Sequence, residues 1–225
     1  MRRFWTGVSV VDGGVLLDGK PVRTPGRLPL VLRTPALAEA VAAEWRAVDG
    51  EIDPRGMRLT GLANAAIERI APAPEVFAAG LASYAETDLL CYRADEPADL
   101  VARQAAMWDP PLDWARRRYD VHFTIATGIV HRAQPPATVT RLAEALSAQD
   151  AWTLAALSPI VTLTGSLVLG LALAEAAIDP DAAWDAAELD ATWQAERWGQ
   201  DALAAETLAA RRVEYDAAVA FLRLA

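Results

Sequence analysis

The sequence predicts an α+β protein: a small β-rich N-terminal domain with flanking helices (1–95), followed by an all-helical C-terminal domain (96–225). Three observations lead there. Asp12-Gly13 and Asp18-Gly19 separate short apolar runs, and glycine supplies the positive φ that tight hairpins need. Beyond Pro97 the apolar residues recur mostly at helical spacing. Residues 181–224 hold no proline and a single glycine, Gly199, so they form one or two long helices with Gly199 as the weak point.

The elements follow in order. Val8–Val11, Val15–Leu17 and Lys20–Arg23 read as strands of a hairpin sheet. Pro21 cannot donate to a ladder, which places its strand at an edge or a bulge. Leu28–Leu32 is a further candidate strand. Thr34-Pro35 opens a helix, with Thr as cap and Pro at the first helical position. Leu37, Val41, Trp45 and Val48 share one face of it, so Trp45 is expected to be structural. Leu59–Ile70 and Glu75–Tyr84 read as helices separated by Pro72 and Pro74. Leu89–Tyr92 reads as a strand returning to the first sheet. Ala98–Arg118 is helical but interrupted at Pro110-Pro111. His122–Ala126 reads as extended. Thr138–Leu146, Ala151–Leu157 and Ile160–Ala174 read as helices.

Composition excludes several classes. At 225 residues, 53% hydrophobic and 23% charged, the chain can build a core. One cysteine, Cys91, rules out a disulfide scaffold and cannot by itself build a structural zinc site. A net charge of −9 argues against nucleic-acid binding. The N-terminus has two arginines without an apolar segment behind them, so a cytoplasmic location is expected. Ala151–Ala174 carries no charge and is long enough to span a bilayer. Pro159, Gly165, Gly170 and the absence of a flanking basic cluster favour a buried helical segment, and a soluble monomer, instead.

Catalytic patterns are sparse. Ser166 has no neighbouring base in sequence, and Cys91 sits among apolar residues that disfavour a thiolate. His122 and His131 are not at metal-ligand helix spacing. Asp109 and Asp113, four apart between Trp108 and Trp114, are paired carboxylates suited either to acid/base work or to fixing a turn. They carry the alternative reading, a small acidic-site hydrolase or lyase.

Charge is distributed unevenly. Asp179, Asp181, Asp185, Glu188, Asp190, Glu196, Asp201 and Glu206 face only Arg197 within their own stretch, which also carries Trp184, Trp193 and Trp198. Acids select a basic partner, and Trp supplies contact area at low entropy cost. A helix serving only as scaffold would mix in bases at i+4. The expectation is a protein-binding surface formed by Glu188, Asp190, Trp193, Glu196, Trp198 and Asp201, its charge compensated by an external basic surface.

Eight blocks occur in order: Arg3-Phe4-Trp5, Leu17-Asp18-Gly19-Lys20-Pro21-Val22-Arg23-Thr24-Pro25, Ala43-Glu44-Trp45, Leu59-Thr60-Gly61-Leu62-Ala63-Asn64-Ala65-Ala66-Ile67, Thr87-Asp88-Leu89-Leu90-Cys91-Tyr92-Arg93-Ala94, Trp108-Asp109-Pro110 with Asp113-Trp114, Gly165-Ser166-Leu167-Val168-Leu169, and Gln194-Ala195-Glu196-Arg197-Trp198-Gly199. Together they span nearly the whole chain and resemble the assembly chaperone of the F(1)-ATPase that is specific for the alpha subunit, a family of mitochondria and alphaproteobacteria. The resemblance implies a non-enzymatic chaperone without cofactor. Such a protein binds the free alpha subunit of ATP synthase until the hexamer forms, in the bacterial cytoplasm or, in eukaryotic relatives, the mitochondrial matrix. The chain departs from the family pattern at Gln200 and Leu203, where relatives tend to carry acids, and at Pro111, where they tend to carry Leu.

Overall fold

Val8–Val11 (β1) and Gly14–Leu17 (β2) form an antiparallel hairpin, with Val11 opposite Gly14 and Val8 opposite Leu17. Lys20–Pro21 (β3) adds the third strand, Leu16 opposite Pro21. Pro21 occupies the sheet edge, where its missing N–H costs nothing. Leu28–Leu32 is extended but makes only isolated bridges, Pro29 to Arg23 and Val31 to Gly14. The chain is here described as a computed structural model, covering residues 2–128, 132–199 and 201–225. His131 and Gln200 lie outside the described residues.

Side-chain alternation gives this sheet two faces. Val15, Leu17, Val22, Leu30 and Leu32 point inward onto Pro35–Ala47 (α1), which buries Leu37, Ala38, Val41 and Ala42 against them. Thr34 caps α1, its hydroxyl accepting from Leu37 N–H. Trp45 is half-buried at the rim of this core. Its ring meets Trp5 edge-on at 5.4 Å between centroids, and the indole N–H of each is buried without an acceptor. Trp45→Arg therefore loses apolar contact but also removes an orphaned donor, and its new charge can reach water. We expect a loss of about 2–3 kcal/mol, read by urea unfolding. A variant as stable as the wild type would show that the Trp5–Trp45 contact contributes nothing.

Arg58–Ala65 (α2) runs without a break into a π-helical turn, Ala66–Ile70, and Pro74–Ala82 (α3) follows. Glu44 on α1 holds the start of α2, its carboxylate accepting from the N–H groups of Leu59 and Thr60 at 2.7 and 2.8 Å. The segment expected to return to the first sheet does not do so. Leu89–Cys91 is a single 3₁₀ turn, and Tyr92–Arg93 (β4) pairs in parallel with Ala126–Thr127 (β5) instead.

The helical part opens with Ala98–Tyr119 (α4), which runs unbroken through Pro110 and Pro111. Pro136–Ser147 (α5) follows. Ala151–Thr164 (α6) and Leu167–Ala174 (α7) form the central hairpin. The break falls at Gly165 rather than at Pro159. Gly165 adopts φ +66° as the cap of α6, and Ser166 caps α7 through its hydroxyl. At Gly170 a Cβ would stand 2.7 Å from Val161 Cγ2, which is how closely α7 lies on α6. α6 is wrapped by α2, α3 and the C-terminal helix, and α7 by α4 and the helix that follows it. Those neighbours cover the uncharged stretch 151–174. Among the described residues no helix is long and apolar enough to cross a membrane.

Pro180–Ala187 (α8), Leu189–Trp198 (α9) and Ala202–Leu224 (α10) complete the chain. The long C-terminal stretch breaks at Gly199 as the sequence predicts, and additionally at Glu188. The fold class is α+β, a small N-terminal sheet followed mostly by helices. One hydrophobic cluster joins Trp5, Val15 and Leu30 to Leu142, Leu154 and Phe221. A division into domains 1–95 and 96–225 remains a proposal about folding units.

Candidate functional site

α9 is fixed across α4 by polar contacts along its length. Gln104 Nε2 on α4 donates to Asp190 at 2.8 Å, while its carbonyl oxygen accepts from Ala94 N–H. Arg103 pairs with Glu196 at 2.7 Å. Asp99 receives the Trp193 indole N–H at 3.1 Å and an ion pair from Arg197, and both partners hold its carboxyl below the usual range. Arg197 lies 4.4 Å over the Trp193 ring.

The α8–α10 contact is built in the same way. Glu188 is buried and pairs with Arg211 at 2.7 Å, and Arg211 also donates to Leu163 O. Arg211 and Arg212 both stack near Trp184, and Arg212 pairs with Asp181 and Asp216.

These contacts correct one expectation. The acids of the α8–α9 stretch do not wait for an external basic surface. Arg103, Arg211 and Arg212, far away in sequence, supply much of the compensation. The six candidate residues accordingly divide. Glu188 and Trp193 are buried supports, and Asp190 is half-buried. Glu196 is exposed but paired, and Asp201 is the exposed cap of α10, accepting from Ala204 N–H at 2.8 Å. Trp198 alone of the tryptophans is widely exposed, at 74%, standing edge-on to Trp193 at 5.6 Å.

Around Trp198 the surface is concave on both sides. One groove of about 660 Å³ runs between α9 and α10 past Gln194, Leu203, Leu208 and Arg211. A second, about 630 Å³, lies between Trp198, Trp193 and the start of α4 at Pro97 and Leu100. The first turns of α10, residues 202–207, are exposed throughout, and Leu203 shows 72% of its surface. The end of α9, tied to α4, and the exposed first turns of α10 thus form an arm along the surface bearing Trp198, Leu203, Asp201 and Glu206. Leu203 was not among the sequence candidates. A leucine in a helix ordinarily reads as core, and nothing local announces that these turns extend beyond the packed body.

The catalytic candidates sit in structural roles. Asp109 pairs with Arg93 at 2.7 Å and Asp113 with Arg116 at 2.6 Å. Ser166 caps α7 from a fully buried position. Burial, with Asp88 nearby, pushes the Cys91 thiol up to about 12, far from a thiolate at neutral pH. His122 is tied through its backbone to the Thr138 hydroxyl.

A family model described as ATP12 chaperone protein matches residues 2–116. The mitochondrial protein atp12 of Schizosaccharomyces pombe is 25% identical over 214 residues, which covers 88% of this chain and 74% of that one. The crystal structure of Atp12 from Paracoccus denitrificans superposes with a TM-score of 0.91 at 44% identity, covering 99% of this chain and 97% of that one. A protein of Agrobacterium tumefaciens superposes at 0.93 with 40% identity, over 99% and 85% of the two chains.

Proposed function

This chain belongs to the ATP12 chaperone family, and from that premise we propose that it serves assembly of the F(1) sector of ATP synthase by holding the free alpha subunit through the α9–α10 arm. The observation that carries the site is the pair of widely exposed apolar side chains, Trp198 and Leu203, flanked by grooves and by Asp201, Glu196 and Glu206. A lone subunit exposes apolar surface that its oligomer buries, and such patches associate with wrong partners. A protein covering the patch withdraws the subunit from aggregation by mass action. The next subunit of the hexamer then displaces it, so the cycle needs neither a cofactor nor hydrolysis by the chaperone.

The division of residues sets the test. Trp198 and Leu203 are the anchors, Asp201, Glu196 and the edge of Asp190 form the rim, and Glu188 and Trp193 hold the arm from beneath. Trp198→Ala combined with Leu203→Ala is expected to weaken binding of purified F(1) alpha subunit about thirtyfold, mainly through faster dissociation. Asp201→Asn keeps the helix cap, and with Glu206→Lys it is expected to slow association most at low salt. Glu188 is unsuited to charge reversal, because that would strand Arg211 against a buried like charge. Unchanged rates in all these variants, with intact melting curves, would move the contact off the arm.

A further inference from the structure

Three Asp-Gly pairs occur in the chain, Asp12-Gly13, Asp18-Gly19 and Asp49-Gly50. Such a pair carries a chemistry of its own. The glycine amide nitrogen can attack the aspartate Cγ, because no side chain on the glycine crowds the approach. Ring closure needs a carboxyl group free to swing back along the chain and a following peptide free to turn toward it. The fold gives each pair a different environment.

The two hairpin pairs are blocked, each in its own way. Asp12 and Gly13 form the turn between Val11 and Gly14, with φ at +51° and +76°. Gly13 lies against the neighbouring segment: its carbonyl accepts from Leu32 N–H at 2.8 Å, and a Cβ placed on it would stand 2.8 Å from Leu32 O. Its peptide cannot turn without disturbing that packing. At Asp18 the glycine has room, since a Cβ on Gly19 would meet nothing within 4 Å. Here the carboxylate is captured instead. It accepts from Gly7 N–H at 2.7 Å, from Thr6 N–H at 3.1 Å and from the Thr6 hydroxyl at 3.0 Å, and these donors hold it below the usual carboxylate range. An anion so held is turned away from Gly19 and is a poor electrophile.

Asp49-Gly50 lacks both restraints. It follows α1 beyond the cap residue Val48, and both residues are exposed. Among the described residues no hydrogen bond or ion pair engages the Asp49 carboxylate, and Gly50 N–H is bonded to no acceptor. A Cβ on Gly50 would meet nothing within 4 Å, so a ring has space there.

The same pair anchors the N-terminal segment. Arg3 donates its backbone N–H to Gly50 O at 2.6 Å, and its guanidinium donates to Val48 O at 2.8 Å. Arg2 bridges to Glu51. These contacts strap the segment across the end of α1 and seat Trp5, 3% exposed, against Trp45. The two carbonyls that Arg3 grips flank Asp49, so the grip depends on the length of backbone between them.

We propose that Asp49-Gly50 is the chain's site of spontaneous aspartate isomerisation, and that the isomer unlatches the N-terminal strap. The Gly50 nitrogen bonds to Asp49 Cγ, and the carboxyl hydroxyl leaves with the amide proton as water. A second water then opens the five-membered succinimide at either carbonyl. Opening at the original main-chain carbonyl breaks its bond to the Gly50 nitrogen and leaves the backbone running through Cγ. Composition and net charge are unchanged, and water is the only co-reactant. The new linkage adds one methylene to the backbone between Val48 and Gly50 and puts a carboxylate where a main-chain carbonyl stood. Arg3 then loses its joint hold on Val48 O and Gly50 O. The site asks nothing of the α9–α10 arm, so the two readings stand or fall separately.

The test incubates the folded full chain for two weeks at pH 7.4 and 37 °C, beside a sample unfolded in guanidinium chloride. Isomer at each pair is read by peptide mapping, as changed retention at constant mass, and by methyl transfer from an isoaspartate-specific carboxyl methyltransferase. In the folded chain, isomer at Asp49 is expected to exceed that at Asp12 or Asp18 about tenfold, because local structure must open at those two before the ring can close. In the unfolded sample the three are expected to converge. Asp49→Glu, whose longer side chain would have to close a six-membered ring, is expected to remove most of the methyl acceptance. Hydrogen exchange of the N-terminal peptide is expected to quicken about tenfold in the isomerised fraction and to stay slow in Asp49→Glu after the same incubation. Isomer at Asp12 or Asp18 equal to that at Asp49 in the folded chain, or none at Asp49, overturns the assignment of the site. Unchanged exchange in the isomerised fraction overturns its coupling to the strap.

Discussion

Trp108→Ala is expected to lower the unfolding free energy by about 3–5 kcal/mol, one of the two largest effects foreseen for this chain. Trp108 is 1% exposed at the centre of the second hydrophobic cluster, among Leu112, Leu169, Leu173 and Trp184. Its indole N–H donates to Ala186 O at 2.7 Å, which ties α4 to the end of α8. Arg93 lies 5.2 Å over its ring while paired to Asp109. Truncation therefore opens a cavity, orphans a carbonyl and removes the floor beneath a largely buried guanidinium. Trp108→Phe keeps most of the volume and loses the hydrogen bond, so it is expected to cost only about 1–2 kcal/mol. Urea unfolding of the two variants separates the contributions. A Trp108→Ala loss below about 1 kcal/mol would mean that the α4–α8 seam closes around the gap.

The second large effect is a pH dependence. Asp88 is fully buried, and its carboxylate accepts from Leu90 N–H at 3.1 Å and from Val168 N–H at 2.9 Å, joining the 3₁₀ turn to the start of α7. Among the described residues no cation forms an ion pair with it. Burial pushes its pKa up to about 6, outweighing the donors that favour the anion. The folded protein then keeps a proton that the unfolded chain releases near pH 4. Stability from this group is complete below that point and is lost as pH rises through about 6. The shift from 3.8 to about 6 corresponds to about 3 kcal/mol.

Asp88→Asn removes the titration. The difference in unfolding free energy, wild type minus variant, is expected to fall by up to about 3 kcal/mol between pH 4 and 7. Asp18, Asp99 and Asp120, whose carboxyls are held below their usual range, pull the other way at lower pH, but equally in both proteins. A difference that stays flat across the window would show that Asp88 remains ionised throughout.

Local chemistry carried much of the fold into view. The two Asp-Gly turns, the Thr34-Pro35 helix start and the break at Gly199 depend on φ preferences and caps that act within a few residues, and the structure places each where the sequence predicts. The eight ordered blocks carry the resemblance to the family that the chain belongs to without help from geometry. The arm was half legible. Trp198 stood out as an aromatic among acids, but nothing in the sequence distinguished it from Trp193, which is buried. The two differ only in which side of α9 meets α4, and that is fixed by Asp99 and Leu100 on another helix.

The sequence by itself determined the class of fold, the family and the short-range punctuation, because propensity and capping are properties of neighbours in the chain. Tertiary structure decided the rest. Pro110 and Pro111 forfeit helix hydrogen bonds, yet α4 continues, since Trp108, Leu112 and Ala115 are buried along it and Arg93 fixes Asp109 from outside. Leu89–Cys91 turns away from the first sheet because Asp88 and Leu89 are bonded to the α6–α7 junction, at Val168 and Gly165. Acids of the α8–α9 stretch that look uncompensated along the chain are paired with arginines from other helices, as Glu196 is with Arg103, ninety-three residues away. Coulomb attraction and burial act through space, and only the folded chain brings those partners within reach.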